Sequence, residues 1–161
     1  MASQQELYDH YCAVAAHVDT PIVLYNIPAR TGNKLLPETV CRLAKDVDFS
    51  VLSGNDSLIL PALKEGGVGG IAGCSNVYPM VLSSIYELFQ EGKLDEAQAA
   101  QDSIASFRAV FKYGNPNTVV KTAAMLGYNV GKCRAPFNQL PQEGLEALEK
   151  VLQENKDKGM C

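Results

Sequence analysis

The sequence contains no tryptophan, only two histidines, and five cysteines that never stand close together. Without paired cysteine spacings, neither a zinc site nor a disulfide framework is predicted, and scattered thiols in odd number favour a reducing compartment. His10 and His17 lie on one predicted helix with no further ligand in metal-binding spacing, so we predict no metal site. The cysteines are Cys12, Cys41, Cys74, Cys133 and Cys161.

Long apolar stretches are missing as well. No run of about 18 apolar residues occurs, and residues 1–6 lack the basic and apolar regions of a secretory signal. We therefore expect a soluble, cytoplasmic protein with no membrane partner.

Positive charge is in the minority, since 14 Lys and Arg stand against 18 Asp and Glu, for a net charge of -4. This balance argues against a nucleic-acid partner.

The glycine-rich stretch 69–73 lacks the acidic residue on a following strand that a dinucleotide site requires, and no cofactor is predicted. A length of 161 residues fits a single domain with a sizeable core.

The order of predicted elements alternates between strands and helices and then becomes purely helical. Apolar runs without alternation indicate strands covered on both faces, and apolar residues at steps of three and four indicate helices. This order is typical of an α/β fold with a parallel sheet. We predict strands at 20–25, 49–54 and 68–74, and helices at about 4–17, 37–45, 57–65, 79–90, 94–113, 116–126 and 145–155.

Functional groups in parallel sheets gather at the carboxyl ends of the strands. At the first such end, Tyr25 could relay a proton, or could only pack its ring and expose its hydroxyl to water. Arg30 follows in a Pro-Ala-Arg-Thr-Gly turn, where it could grip a carboxylate or could be a solvated loop charge.

The second and third strand ends carry further candidates. Asp56 is most simply a helix cap. Residues 69–73 could let a substrate approach the backbone, or could only permit close packing. Cys74 could be a nucleophile, but no histidine is near it in sequence, and a buried small thiol is the alternative.

Three stretches together resemble the dihydrodipicolinate synthase / N-acetylneuraminate lyase family of pyruvate-dependent class I aldolases. They are "YNIPARTG", "FSVLSGNDSLILPALKEGGVGGIAGCSNVYP" and "GNPNTVVKTAAMLGYNVGKCRAPFNQL". The resemblance covers nearly the whole chain and is strongest to dihydrodipicolinate synthase of lysine biosynthesis. It implies an α/β fold, a partial (β/α)₈ TIM barrel over residues 1–92, with a C-terminal helical extension over 93–161 packed on it, and an oligomeric assembly.

The same resemblance implies roles for three residues. Tyr25 corresponds to the proton-relay tyrosine of the fifth barrel strand, and Arg30 to an arginine that receives a substrate carboxylate. Ile71 corresponds to an eighth-strand residue whose backbone lies beside bound pyruvate. The implied small-molecule partner is therefore pyruvate or a related keto acid.

The resemblance fails at the sixth strand, where the family carries a Schiff-base lysine in a segment similar to Gly-Ile-Lys-Glu/Asp-x-Ser/Thr-Gly. Here residues 43–48 run almost directly into 49–54, and the resemblance therefore implies that the sixth strand and its following helix are skipped. Lys45 closes a predicted helix and Lys64 lies within one, and neither replaces the missing lysine. The first four strands are also outside the match, and three strands cannot close an eight-stranded barrel.

Three hypotheses follow from this partial match. The chain could be a shortened lyase that is inactive alone, because without the lysine no iminium forms on pyruvate. It could instead be a non-catalytic oligomerising or regulatory module, associating with itself or a relative. It could also be a fragment that a complementary chain completes. The aldehyde substrate of the parent enzyme stays open.

Overall fold

The computed structural model describes residues 1–20, 22–46, 50–136 and 139–160. The chain divides into two compact units, Met1–Val51 and Leu52–Cys161. The predicted division after residue 92 stays a prediction. No helix among the described residues is both long and apolar enough to cross a membrane.

The described residues of the first unit form the helices α1 (Gln4–His17), α2 (Pro28–Thr31) and α3 (Pro37–Asp46). A capping box begins α1, because the Ser3 hydroxyl accepts from the backbone N–H of Glu6 and the Glu6 carboxylate accepts from that of Ser3. The Gln4 side chain ties α1 to the next segment by accepting from the Leu36 N–H and the Thr39 hydroxyl. The predicted helices at 4–17 and 37–45 are confirmed.

The strand predicted at 20–25 is wrong for the residues that the structure describes there. Residues 22–27 have no regular secondary structure, and the side chains of Val23 and Tyr25 are each 69% exposed. A strand is stabilised by hydrogen bonds to a neighbouring strand, and apolar content alone does not supply that neighbour. Pro21 lies outside the described residues.

The second unit contains a two-stranded parallel sheet of β1 (Leu52–Ser53) and β2 (Gly69–Gly70). Leu52 pairs with Gly69, and Ser53 pairs with Gly70. Both strands are shorter than the predicted 49–54 and 68–74, and Phe49 lies outside the described residues. Cys74, predicted within the second of them, lies instead in a 3₁₀ turn, Gly73–Asn76, because its N–H bonds to a carboxylate rather than to a strand.

Helices make up most of the second unit. A 3₁₀ turn at Asp56–Leu58 leads into α4, which Pro61 keeps short. The helix predicted at 94–113 is interrupted at Ile104, where the Ser103 hydroxyl donates to the Ala100 carbonyl and competes with the backbone. The helices are α4 (Ile59–Lys64), α5 (Pro79–Gln90), α6 (Leu94–Ser103), α7 (Ala105–Ala109), α8 (Pro116–Gly127) and α9 (Gln142–Asp157), with a 3₁₀ turn at Val110–Tyr113.

The core of the second unit lies between these helices. Tyr78 and Phe107 are fully buried and meet edge to face with ring centroids 5.3 Å apart. The Tyr78 hydroxyl accepts a hydrogen bond of 2.9 Å from the buried Asn155 amide, so a polar pair stands inside the apolar core. The other fully buried side chains are Leu60, Ile85, Ala97, Ile104, Cys74, Val119 and Leu148.

Candidate functional site

Tyr25 lies in the first unit, in the irregular segment before α2, and its side chain is 69% exposed. The neighbouring Asn26 holds this segment in place. Its side-chain amide donates to the Leu35 carbonyl at 3.0 Å, and its side-chain oxygen accepts from the Leu35 N–H at 3.2 Å. The phenol is therefore presented to solvent from an anchored loop.

Arg30 is the third residue of α2 and is exposed. Pro28 begins this single turn, and Gly32 ends it with φ +69° and an N–H that donates to the Pro28 carbonyl. A left-handed residue at this position favours glycine. The guanidinium forms no ion pair with any residue that the structure describes, which leaves its planar fork available to a carboxylate.

Ile71 lies in the second unit, directly after β2. Its N–H donates to the Ser53 carbonyl at 2.8 Å, and its side chain is 64% exposed. Tyr25 and Arg30 thus belong to one unit and Ile71 to the other. All three assigned residues are exposed.

Asp56 has a role that its local sequence did not indicate. Asn55 caps the following turn through its side chain, whereas the Asp56 carboxylate accepts from the Cys74 N–H at 2.8 Å and from Arg108 Nη1 at 2.7 Å. The Asp56 carbonyl also accepts from the buried Gln101 amide at 2.8 Å. Asp56 therefore joins the segments after β1 and β2 to the helical region.

Cys74 is fully buried beside this carboxylate. Burial, reinforced by the negative charge of Asp56 and by a hydrogen bond to it, raises the pKa of the Cys74 thiol to about 12. The thiol form is therefore favoured near neutral pH, and together with the full burial of the side chain this argues against a nucleophilic role. The alternative of a buried structural thiol is the correct one.

Neither lysine near the break in the resemblance ends a strand of the described sheet. Lys45 is exposed near the end of α3, and Lys64 is exposed at the end of α4. Among the described residues, no group of three or more His, Cys, Asp or Glu side chains could hold a metal ion.

The two parallel strands, each followed by a helix and then by additional helices, have the βα order found in (β/α)₈ barrels. Solved structures of the same fold match almost all of the chain. A 4-hydroxy-tetrahydrodipicolinate synthase from Methylacidiphilum fumariolicum SolV matches 98% of it with a TM-score of 0.81 and 32% identity. A dihydrodipicolinate synthase from Thermotoga maritima matches 99% with a TM-score of 0.82 and 26% identity. The prediction of a partial barrel is confirmed.

The chain belongs to the Dihydrodipicolinate synthetase family, whose profile matches residues 1–48 and 45–155. Curated relatives include 4-hydroxy-tetrahydrodipicolinate synthases from Methanospirillum hungatei, 35% identical over 91% of this chain, and from Syntrophus aciditrophicus, 36% identical over 94%. The chain spans about 60% of the length of these relatives, covering 59% and 60% of them, and it covers 61% and 63% of the two solved structures.

The matches also locate an internal difference in length. The match to the Methanospirillum relative extends over 172 residues, whereas 91% of 161 residues is about 147, which leaves about 25 positions without a counterpart here. A strand of about 5–6 residues, a helix of about 11–12 and two connections have this combined length. The two pieces of the family match meet at residues 45–48, where the sequence suggested a skipped βα unit.

Proposed function

We propose that this chain is a member of the family without lyase activity of its own, related to the 4-hydroxy-tetrahydrodipicolinate synthases of lysine biosynthesis. The observation that carries the proposal is the internal break near residues 45–48, with about 25 positions fewer than the Methanospirillum relative over the matched region. By resemblance, this is the segment that would hold the Schiff-base lysine.

The chemical consequence follows from the role of that lysine. Its amine attacks the pyruvate carbonyl and forms the iminium that makes the keto acid an electron sink. Tyr25 and Arg30 then assist by moving a proton and binding a carboxylate, and both are exposed. Without the iminium these two residues bind a keto acid weakly at most, because no covalent bond retains it. Such binding also opens no route to the enamine.

Trapping with borohydride tests the proposal directly. The purified protein is incubated with pyruvate and sodium borohydride, and its intact mass is compared with that of the Methanospirillum relative treated identically. We expect an adduct on the relative and none on this chain. A stoichiometric adduct on any lysine of this chain would show that a Schiff base still forms.

Weak keto-acid binding is a separate question, answered by saturation-transfer NMR with pyruvate. An Arg30→Met variant should reduce the transfer signal if the guanidinium receives the carboxylate. Arg134→Met, which changes an exposed arginine outside the assigned site, is the matched control. Equal signals in both variants would count against a role for Arg30.

The second candidate function is assembly, as a homo-oligomer, as a regulatory module bound to a relative, or as a fragment completed by another chain in the cytoplasm. The exposed apolar side chains of the sheet region favour it, since Leu52 is 38% exposed and Ile71 64%. Size-exclusion chromatography with light scattering distinguishes a monomer from an oligomer. A stable monomer that binds no relative would contradict this candidate.

A further inference from the structure

A cleft of about 380 Å³ lies within the second unit, away from Tyr25, Arg30 and Ile71. Residues of the 3₁₀ turn Asp56–Leu58 and of α4 form one wall, and residues of α6 and α7 form the other. Its volume is within the range of about 300–1,000 Å³ that is common for small-molecule sites. The apolar lining is Pro61, Ile104, Ala105 and Ala109, and the charged lining is Asp102 and Arg108.

The two walls of this cleft are fixed to each other by Gln101, which also lines it. The side chain of Gln101 is buried, and its oxygen accepts from the Leu60 N–H at 3.0 Å. Its amide donates to the Asp56 carbonyl at 2.8 Å. Because both ends of one side chain on α6 bind backbone groups of the opposite wall, the cleft is already formed in the chain without a ligand.

The Arg108 guanidinium is held in one position at the cleft. Its Nη1 donates to the Asp56 carboxylate at 2.7 Å, and its Cζ lies 5.5 Å from the centroid of the Phe111 ring. A guanidinium has several further N–H donors, and in the described part of the chain only Asp56 accepts from this one. The side chain is 26% exposed, so the remaining donors can bind an acceptor in the cleft.

Asp102 supplies the opposite charge. Its side chain is exposed, and one carboxylate oxygen accepts from Gln98 Nε2 at 2.9 Å. Gln98 lies one helical turn earlier on α6 and also lines the cleft. No lysine or arginine among the described residues forms an ion pair with Asp102, so its charge remains available to a cationic group of a ligand.

We infer that this cleft binds a small zwitterion, an aliphatic α-amino acid, whose carboxylate contacts Arg108 and whose ammonium group contacts Asp102. A simple anion at Arg108 would be repelled by the carboxylates of Asp56 and Asp102, and a simple cation at Asp102 would be repelled by Arg108. A ligand that carries both charges avoids these repulsions. Its aliphatic part would contact the apolar lining.

The arrangement also lowers the cost of binding. Both charged side chains are oriented by neighbours, Arg108 by Asp56 and Asp102 by Gln98, so little side-chain freedom is lost when a ligand enters. This inference goes beyond the proposed function, because it concerns other residues and another class of ligand.

A chemical-shift titration of the ¹⁵N-labelled protein with L-leucine tests the inference. Two matched probes each lack one charge, since 4-methylpentanoate has no ammonium group and 3-methylbutylamine has no carboxylate. We expect leucine to shift the amide signals of residues 57–60 and 98–109 in a saturable way. Each single-charge probe should bind at least about threefold more weakly, the size of effect expected for a partly solvated ion pair.

Two matched variants make the test specific to the cleft. Asp102→Asn keeps the shape of the side chain and removes its charge, so it should weaken leucine binding about threefold or more. The same variant should leave 4-methylpentanoate binding no weaker, because that probe has no ammonium group. Asp95→Asn alters another exposed aspartate of α6 that does not line the cleft, and it should bind leucine as the unaltered chain does.

The inference is overturned if leucine causes no saturable shifts around the cleft, or if 4-methylpentanoate binds as tightly as leucine. Equal leucine binding by Asp102→Asn and Asp95→Asn would overturn it as well. Both altered side chains are exposed, so both variants are expected to stay folded. None of these results depends on pyruvate or on a Schiff base, so they remain separate from the borohydride test.

Discussion

Replacing Arg108 by methionine leaves the Asp56 carboxylate buried without its cation. The side chains of Arg108 and Asp56 are 26% and 10% exposed, and their closest atoms are 2.7 Å apart. Removing one partner of a buried pair costs about 3–5 kcal/mol. Because a quarter of the arginine side chain reaches solvent, which screens the pair, we expect a smaller loss of about 2–3 kcal/mol in the free energy of unfolding.

Urea unfolding followed by far-UV circular dichroism measures this loss. The control is Lys150→Met, which breaks an exposed pair with Glu154 at 3.9 Å and should cost below about 0.5 kcal/mol. Asp56→Asn combined with Arg108→Met should be destabilised by about 1–3 kcal/mol less than the sum of the single variants, because the charge that needs the arginine is then absent.

The reasoning is refuted if Arg108→Met costs no more than Lys150→Met, or if the double variant shows no coupling. Either result would mean that solvent neutralises Asp56 as effectively as the arginine does. The Cys74 N–H would then be the contact that matters for Asp56.

Three further results are expected from the second unit. Tyr78→Phe removes the hydroxyl that accepts from the buried Asn155 amide and should cost about 1–3 kcal/mol in urea unfolding. Leu148→Ala shortens a fully buried side chain and leaves a cavity, so the free energy of unfolding should fall by about 2–5 kcal/mol in the same assay. Since its pKa is raised to about 12, Cys74 should resist iodoacetamide at pH 8 while the exposed Cys41 is alkylated, as peptide mass mapping would reveal.

Exposed counterparts serve as controls for these variants. Tyr86→Phe and Leu126→Ala alter side chains that are 41% and 56% exposed, and each should change stability by less than about 0.5 kcal/mol. If the variants at buried and at exposed positions lost the same free energy of unfolding, the assignment of Tyr78 and Leu148 to the core would be contradicted. Alkylation of Cys74 at the rate of Cys41 in the native protein would contradict its burial.

The helices were predictable because their signals are local. The spacing of Ser3 and Glu6 indicated the start of α1, and the prolines that are the first residues of α3, α5 and α8 indicated theirs. Gly66 has φ +91° and Gly92 φ +75°, so two of the glycines that predicted helix ends adopt left-handed conformations. Gly114, which also predicted a helix end, is extended with φ -178°. Caps and stops of this kind depend on a few neighbouring residues.

The strands were less predictable, because a strand depends on its neighbour as well as on its own residues. The apolar run at 20–25 has the composition of a buried strand, yet residues 22–25 form none. The ion pair of Asp56 was also missed. Its partner is Arg108, 52 residues later, whereas the local pattern favoured a helix cap, a role that Asn55 fills.

The family resemblance came from motif order rather than from periodicity, and the family match confirms it. The roles of Tyr25, Arg30 and Ile71 stay predictions, since they depend on a ligand and on their arrangement around it.

Asn26 makes two opposed hydrogen bonds to one peptide, donating to the Leu35 carbonyl and accepting from the Leu35 N–H. Its carboxamide thereby takes the place of a peptide group. It supplies Leu35 with the donor and the acceptor that a residue of a neighbouring strand would supply. An aspartate has nearly the same shape but no N–H to offer, so at this position it would set an anion against a carbonyl oxygen. Which substitutions residue 26 accepts is consequently decided by the donor and acceptor groups of the new side chain rather than by its size.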